Sequence, residues 1–210
     1  DNLISYLIIG IIFGGRIGYV IFYNFAFYYE NPIDIFKIWE GGMSFHGALI
    51  GVFFATHFFS NSFGRKFNSI IFLDVIACVA PIGIFFGRVA NFINAELYGK
   101  PTDLFFSVIF LSVDNISRHP SQLYEAVLEG FVLFIILINI SLKKRFETGI
   151  CSCLFLVLYG IFRIISEQFR EPDIHIGYLF EKISMGSFLS LMMILIGTFW
   201  FINIKKNAFK

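Results

Sequence analysis

The sequence predicts an all-α fold, a polytopic bundle of transmembrane helices, on three observations: its composition, the length of its apolar runs and the placement of its basic residues. Of 210 residues, 57% are hydrophobic, 20% aromatic and only 15% charged, too few charges to build a water-facing shell around a soluble domain. A hydrocarbon core of about 30 Å is crossed by about 20 apolar residues in helical form, and six runs near that length stand between breaks where charged, Gly or Pro residues collect. Lys and Arg in short loops stay on the cytoplasmic side, and here they cluster after every second run.

The first run covers 3–23. Neither an initiator Met nor a basic stretch with a cleavage site precedes it, so it does not read as a signal peptide. An outer loop at 24–41 leads to the second run, 42–59, which Arg65 and Lys66 follow. The third run, 69–86, opens into an outward-facing loop region at 87–122, and the fourth, 123–142, ends at Lys143, Lys144 and Arg145. The fifth is 149–165, with an outer loop at 166–184, and the sixth, 185–204, is followed by Lys205, Lys206 and Lys210. The third and fifth are the least cleanly bounded. About six spans with the start inside fit this alternation, and Trp39 and Tyr98 fall on the outer side, where an aromatic belt is expected. No internal repeat, Pro-rich linker or soluble domain interrupts the chain, so 1–210 reads as a single transmembrane domain.

Several function classes are excluded at this level. A net charge of +1 offers no basic surface to nucleic acid. Cys78, Cys151 and Cys153 form no disulfide framework and read as packing residues. There is no H-E-x-x-H, no C-x-x-C and no carboxylate cluster at ligand spacing, so neither a metal nor another cofactor is expected. No Ser occupies a nucleophile elbow or an S-x-x-K pattern.

An ionisable residue inside a span is costly unless something compensates it, which makes each one a functional candidate. Arg16 lies seven residues before Tyr23, about 10 Å below the outer boundary at 1.5 Å per residue. Arg88 is expected just past the outer end of the third span and Arg163 near the outer end of the fifth. His46, Glu125 and Glu129 fall in the first turns of inward-running spans. Each has a plainer reading: Arg16 snorkelling to head groups, His46 as a buried hydrogen-bonded ring, and Glu125 with Glu129, spaced i, i+4, pairing with Arg16 or Arg163. Together, three arginines and an imidazole at one level make an anion site beside a titratable base, and the abundant anion at that depth is a phospholipid phosphate. Asp74 lies about 21 Å before Arg88 along a helix, toward the cytoplasm, and is expected to hold the bundle together.

The stretch Gly87-Arg88-Val89-Ala90-Asn91-Phe92-Ile93-Asn94-Ala95-Glu96-Leu97-Tyr98-Gly99 resembles the signature of bacterial prolipoprotein diacylglyceryl transferases. Four further blocks resemble that family in the same order: Gly15-Arg16-x-Gly18-Tyr19-Val20-x-Phe22-Tyr23-Asn24; His46-Gly47 within Ser44 to Ala48; Arg118-His119-Pro120-Ser121-Gln122-Leu123-Tyr124-Glu125; and Tyr159-Gly160-x-x-Arg163-x-x-x-Glu167-x-x-Arg170-Glu171-Pro172-Asp173. The family usually has Gly where Ala90 and Ala48 stand, a change expected to adjust packing and not activity. Family members are expected to have seven spans, beginning with one that carries a His and a Tyr, and this chain reads as starting after it.

The resemblance implies transfer of the diacylglyceryl group from phosphatidylglycerol to the lipobox cysteine of a preprolipoprotein, with a thioether formed and glycerol phosphate released. It implies a place in the bacterial cytoplasmic (inner) membrane, with the site toward the non-cytoplasmic leaflet. His46, ahead of His119 and His175, is expected to take the thiol proton, and Arg88 and Arg163 to stabilise the departing phosphate. Arg16, Tyr19, Asn91, Asn94, Glu96, Gly99, Tyr159, Glu167 and Arg170 are expected substrate-binding or orienting residues. Among these, Glu167 pairs with Arg163 if the helix continues, Tyr159 donates a hydrogen bond, and Gly99 permits a turn that aims Glu96. Arg170, Glu171 and Asp173 are expected to brace the outer loop. The alternatives are an anionic-lipid transporter or flippase, which predicts charges across the whole bilayer, and a structural subunit whose buried charges only pair with one another.

Overall fold

Apolar runs of this length satisfy their backbone groups only by coiling into helices, and helices dominate the computed structural model, which describes residues 2–62, 68–143, 147–171, 178–179 and 183–208. Arg65, Lys66, Lys144, Arg145, Asp173, His175 and Lys210 lie outside the described residues. Five of the described helices are long and apolar enough to cross a membrane: α1 (Asn2–Phe22), α4 (Ser69–Ile93), α5 (Ser121–Ser141), α6 (Ile150–Glu167) and, within α7 (Met185–Ala208), the stretch Met185–Lys206. The helix expected as the second span, α3 (Phe45–Ser62), is formed but is not among the five. His46, Thr56, His57, Ser60 and Asn61 dilute its apolar character. A short α2 (Phe25–Glu30) and two 3-10 turns, Pro32–Phe36 and Ile38–Glu40, occupy the expected outer loop after α1.

Contacts divide the chain into two compact units, the first running to Leu73 and the second taking up at Asp74. In the first, α1 and α3 pack through small residues. A Cβ at Gly10 would lie 2.8 Å from that of Ala55, one at Gly14 would lie 2.8 Å from the Gly51 Cα, and one at Gly18 would lie 2.6 Å from the Gly47 Cα, so the backbones approach more closely than larger side chains allow. The amide of Ser44 donates to the Gly15 carbonyl at 2.9 Å, and its hydroxyl accepts from the Gly47 amide at 3.2 Å, an N-cap that starts α3 just after the turn at Gly41 and Gly42, both at positive φ.

In the second unit α4 runs on to Ile93 with Pro81 inside it, so Arg88 stands within the helix and not beyond its end. A charge ends an apolar run but not a helix, since Arg is a good helix former, and Arg88 is paired, as described below. α6 likewise reaches Glu167. A two-stranded antiparallel hairpin, β1 (Val108–Ile109) and β2 (Ser117–Arg118), stands in the region expected as loop 87–122.

Asp74 has the structural part expected of it. Its carboxylate accepts from the Gly149 amide at 2.6 Å and from the amide and hydroxyl of Ser152 at 2.8 and 2.7 Å. It caps the first turn of α6 from a different helix, supplying acceptors that the α6 sequence lacks at Gly149. Asp74→Ala removes three bonds to a buried carboxylate and is expected to cost about 2–3 kcal/mol. That loss would be measured as a lower unfolding midpoint in detergent; an unchanged midpoint would show that the cap carries no stability.

Candidate active site

The second unit brings three arginines and three glutamates together near the ends of α4, α5 and α6. Glu125 of α5 is the centre. Its Oε2 lies 2.9 Å from Nε of Arg88 on α4 and its Oε1 lies 2.8 Å from Nη1 of Arg163 on α6. One helical turn on, Glu129 lies 3.3 Å from Nη2 of Arg88 and 3.7 Å from Nη1 of Arg163. Glu167 takes the other side of Arg163 at 2.6 Å, the i, i+4 pair expected once α6 continues. Arg170 approaches Glu125 at 3.7 Å.

Burial makes this arrangement obligatory. The side chains of Glu125 and Glu129 have no exposed surface, and those of Arg163 and Arg170 retain 8% each. An unpaired charge there would carry a desolvation cost of several kcal/mol. Three positive and three negative groups cancel, and each carboxylate oxygen of Glu125 is matched to a different guanidinium. Arg88 keeps the most open surface of the cluster, 14% of its side chain. Tyr159 is buried one turn before Arg163, its ring stacked on Phe155 at 5.7 Å.

Glu125 and Glu129 share a face because of the local helix. The residues Ala126–Val132 form a π-helical turn inside α5, a wide turn that recurs at functional sites. At Gly130 a Cβ would lie 2.6 Å from the Cβ and 2.7 Å from the Cα of Phe85. The missing side chain therefore lets α4 approach α5 three residues before Arg88.

The signature segment after α4 closes over this end of the unit. Asn91 donates to Glu96 at 2.8 Å, so Glu96 is held by an asparagine, and Asn94 is exposed. The chain reverses through Ala95 and Leu97, at φ 55° and 53°. The left-handed positions thus fall on those two residues and not on Gly99, whose expected turn role is corrected. Gly99 is needed for space, since a Cβ there would lie 2.6 Å from that of His119 and 2.8 Å from the Phe169 carbonyl oxygen. Its backbone pairs with Arg170, and Pro101 pairs with Arg118. Gln122 ties the segment to α5 through the Glu96 carbonyl at 2.6 Å.

Arg118 belongs to one of the blocks that resemble the family, and the structure gives it a bracing part. Its guanidinium reaches Asp114 at 2.6 Å, the Gly99 carbonyl at 3.1 Å and Glu171 at 3.3 Å, and lies over the Tyr98 ring at 4.7 Å. The hydrogen bond from Arg118 lowers the Asp114 carboxyl below its ordinary value, and the same bond raises Arg118. His119 contacts the Tyr124 hydroxyl at 3.2 Å, and burial, then Lys100, push its titration down.

The remaining expected residues belong to the first unit. His46 is buried in the first turn of α3, its ring edge-on to Phe45 at 5.8 Å. Tyr19 stacks on Tyr23 at 5.5 Å. Arg16, 4% exposed, is engaged otherwise than expected. Its donors go to the backbone carbonyls of Ile35 (2.8 Å), Asp34 (2.6 Å), Lys37 (3.1 Å), Gly42 (3.1 Å) and Gly41, and it lies over the Tyr28 ring at 5.1 Å. A guanidinium has five N–H donors, and five carbonyls receive them. Sequence spacing gave no sign of this, because the acceptors are backbone atoms of a loop.

Comparison with known proteins fits this geometry into a lineage. A family model described as prolipoprotein diacylglyceryl transferase matches residues 1–203. A phosphatidylglycerol--prolipoprotein diacylglyceryl transferase of Rickettsia felis is 49% identical over 201 residues, covering 95% of this chain and 77% of its own length. Its namesake in Rickettsia bellii is 50% identical over 205 residues, 97% of this chain and 77% of the relative. That of Ehrlichia canis is 49% identical over 210 residues, 98% and 79% respectively. Agreement of this extent, spanning every block that builds the site, means that the chain belongs to the prolipoprotein diacylglyceryl transferase family.

Proposed function

We infer that this protein transfers the diacylglyceryl group of phosphatidylglycerol to the thiol of the lipobox cysteine in a preprolipoprotein. The observation that carries this is the family match over residues 1–203, with relatives of that activity about half identical to the chain. The thiol sulfur attacks the carbon of the diacylglyceryl group that is bonded to the phosphate ester oxygen. A C–S bond forms, the C–O bond breaks with its electron pair going to the phosphate, and the thiol proton leaves to a base.

Arg88 and Arg163 are proposed to hold the phosphate and stabilise the charge it gains, an effect worth a few kcal/mol per well-aimed donor. Glu125 supports this reading, because it already fixes the two guanidinium groups side by side. Planar forks suit two phosphate oxygens while remaining charged. His46 is proposed to take the thiol proton, since a free thiol near pKa 8.5 is mostly protonated at neutral pH. Asn91, Asn94, Glu96 and Tyr159 are proposed to line the head-group path, with Gly99, Glu167 and Arg170 orienting it. Arg16 is proposed to act earlier, by fixing residues 34–42 and thereby the start of α3 that carries His46.

The finer topology is part of the same proposal. α3 crosses as a further span beside the five apolar helices, residues 1–210 act as one transmembrane domain in the bacterial inner membrane, and the site faces the non-cytoplasmic leaflet. Both substrates live in the bilayer, so the site opens sideways to lipid.

Purified protein in detergent with phosphatidylglycerol and a lipobox peptide is expected to add a diacylglyceryl mass to the cysteine peptide and release glycerol phosphate. The Ser peptide is expected to stay unchanged. Neither product from folded protein would reject the transferase reading for this chain. Arg88→Lys, which keeps the charge but not the fork that reaches both Glu125 and Glu129, is expected to lower kcat of the protein that remains folded on the order of 100-fold; full turnover would remove Arg88 from the site. Arg16→Lys retains charge but at most three donors. It is expected to open residues 34–42 to faster hydrogen exchange and to lower the unfolding midpoint, a loss of about 1–3 kcal/mol. Unaltered exchange there would contradict an anchoring role.

A further inference from the structure

Glu125 and Glu129 look equivalent in the sequence, four residues apart on one helix, but their bonding differs. Glu125 meets both arginines at normal charge-assisted distances, 2.8 and 2.9 Å. Glu129 meets the same two at 3.3 and 3.7 Å, long for such pairs, although it is equally buried. It also sits within the π-helical turn Ala126–Val132, while Glu125 precedes it. Arg88, the arginine of this cluster with the most open side chain, makes its shorter contact to Glu125 through Nε and its longer one to Glu129 through Nη2.

We propose that Glu129 is a built-in competitor for the phosphate: it occupies Arg88 and Arg163 in the absence of lipid, yields them to the phosphodiester, and then drives the product out. The proposal rests on the reading that these two arginines hold the phosphate. Charge arithmetic gives it direction. Without lipid, Arg88, Arg163 and Arg170 balance Glu125, Glu129 and Glu167. A phosphodiester adds one negative charge, and cleavage turns it into a phosphomonoester of about −1.5 to −2 near pH 7. The product therefore repels a neighbouring carboxylate more strongly than the substrate does, in a site where low dielectric magnifies the difference. Glu125, in close ionic contact at both oxygens, stays as the positioning residue, and Glu129, which meets the same arginines at longer distances, supplies the repulsion. Its part is to set how long the product remains, so its removal strengthens binding where loss of a merely structural ion pair would weaken it.

The test is inhibition of the peptide-modification assay by added glycerol phosphate, with Arg163→Lys, Glu125→Gln and Glu129→Gln compared with wild type. Glu129→Gln is expected to lower the Ki for glycerol phosphate on the order of tenfold, to lower the KM for phosphatidylglycerol by a smaller factor and to slow turnover at saturating lipid. Glu125→Gln is expected to raise that Ki, because the two guanidinium groups are no longer held together. A folded Glu129→Gln protein with an unchanged or raised Ki overturns the proposal. If that variant does not fold, Glu129→Asp, which keeps the charge but draws it back, carries the test: a lowered Ki supports competition and an unchanged one refutes it. Arg163→Lys separates the two layers. A raised Ki for this variant upholds the arginine–phosphate reading and leaves the proposal to the Glu129 variants. An unchanged Ki rejects that reading and, with it, the proposal.

Discussion

The bridge from Arg88 through Glu125 to Arg163 is the interaction on which the second unit depends. It joins α4, α5 and α6 at one end, and it must form, because none of the four groups that meet there, Glu129 included, has enough water to be stable alone. Removing one partner of a buried pair typically costs about 3–5 kcal/mol, mostly through the charge left behind. The same bridge sets two guanidinium groups side by side, which is what the proposed phosphate-binding role requires. On the proposed reading, stability and chemistry draw on one set of contacts, the buried carboxylates that hold the arginines in place.

Two smaller devices make the bridge possible. At the opposite end of α6, Asp74 of α4 binds the first turn and fixes the register in which Arg163 emerges. Between α4 and α5, Gly130 admits Phe85 so closely that Arg88, less than one turn further on, reaches both glutamates. In the first unit Arg16 plays a comparable part with neutral partners. A charge buried among five carbonyls is compensated by their dipoles, and in return it holds together a loop built only of short 3-10 turns.

Much of the helical arrangement was legible in the sequence, because apolar runs and basic clusters report directly on what a bilayer requires. The helices run past the apolar runs: α4 and α6 continue through Gly87-Arg88 and Ser166-Glu167, where hydropathy drops at charges that the structure pairs. α3 shows the converse: its polar residues leave a helix that apolarity alone does not mark as a span. Within the site, the i, i+4 relation of Arg163 with Glu167 and of Glu125 with Glu129 was visible, and Arg88, Arg163 and the glutamates were placed at one depth, but the glutamates' partners were read as Arg16 or Arg163 and not Arg88. The carbonyl cage of Arg16, the crowding at Gly99 and the π-helical turn were not visible, since each depends on backbone placed by distant parts of the chain. The hub at Arg118 is partly of the same kind, since Gly99 and Glu171 come from distant parts of the chain while Asp114 is four residues away.

The account stands or falls on where the phosphate sits. A cryo-electron microscopy structure of the protein with glycerol phosphate bound is the most direct measurement. It should show phosphate oxygens within hydrogen-bonding distance of both Arg88 and Arg163, with Glu125 still bridging the two arginines. Phosphate density elsewhere, with all the ion pairs of Arg88 and Arg163 intact, would contradict it and leave the arginine–glutamate cluster as a structural core alone.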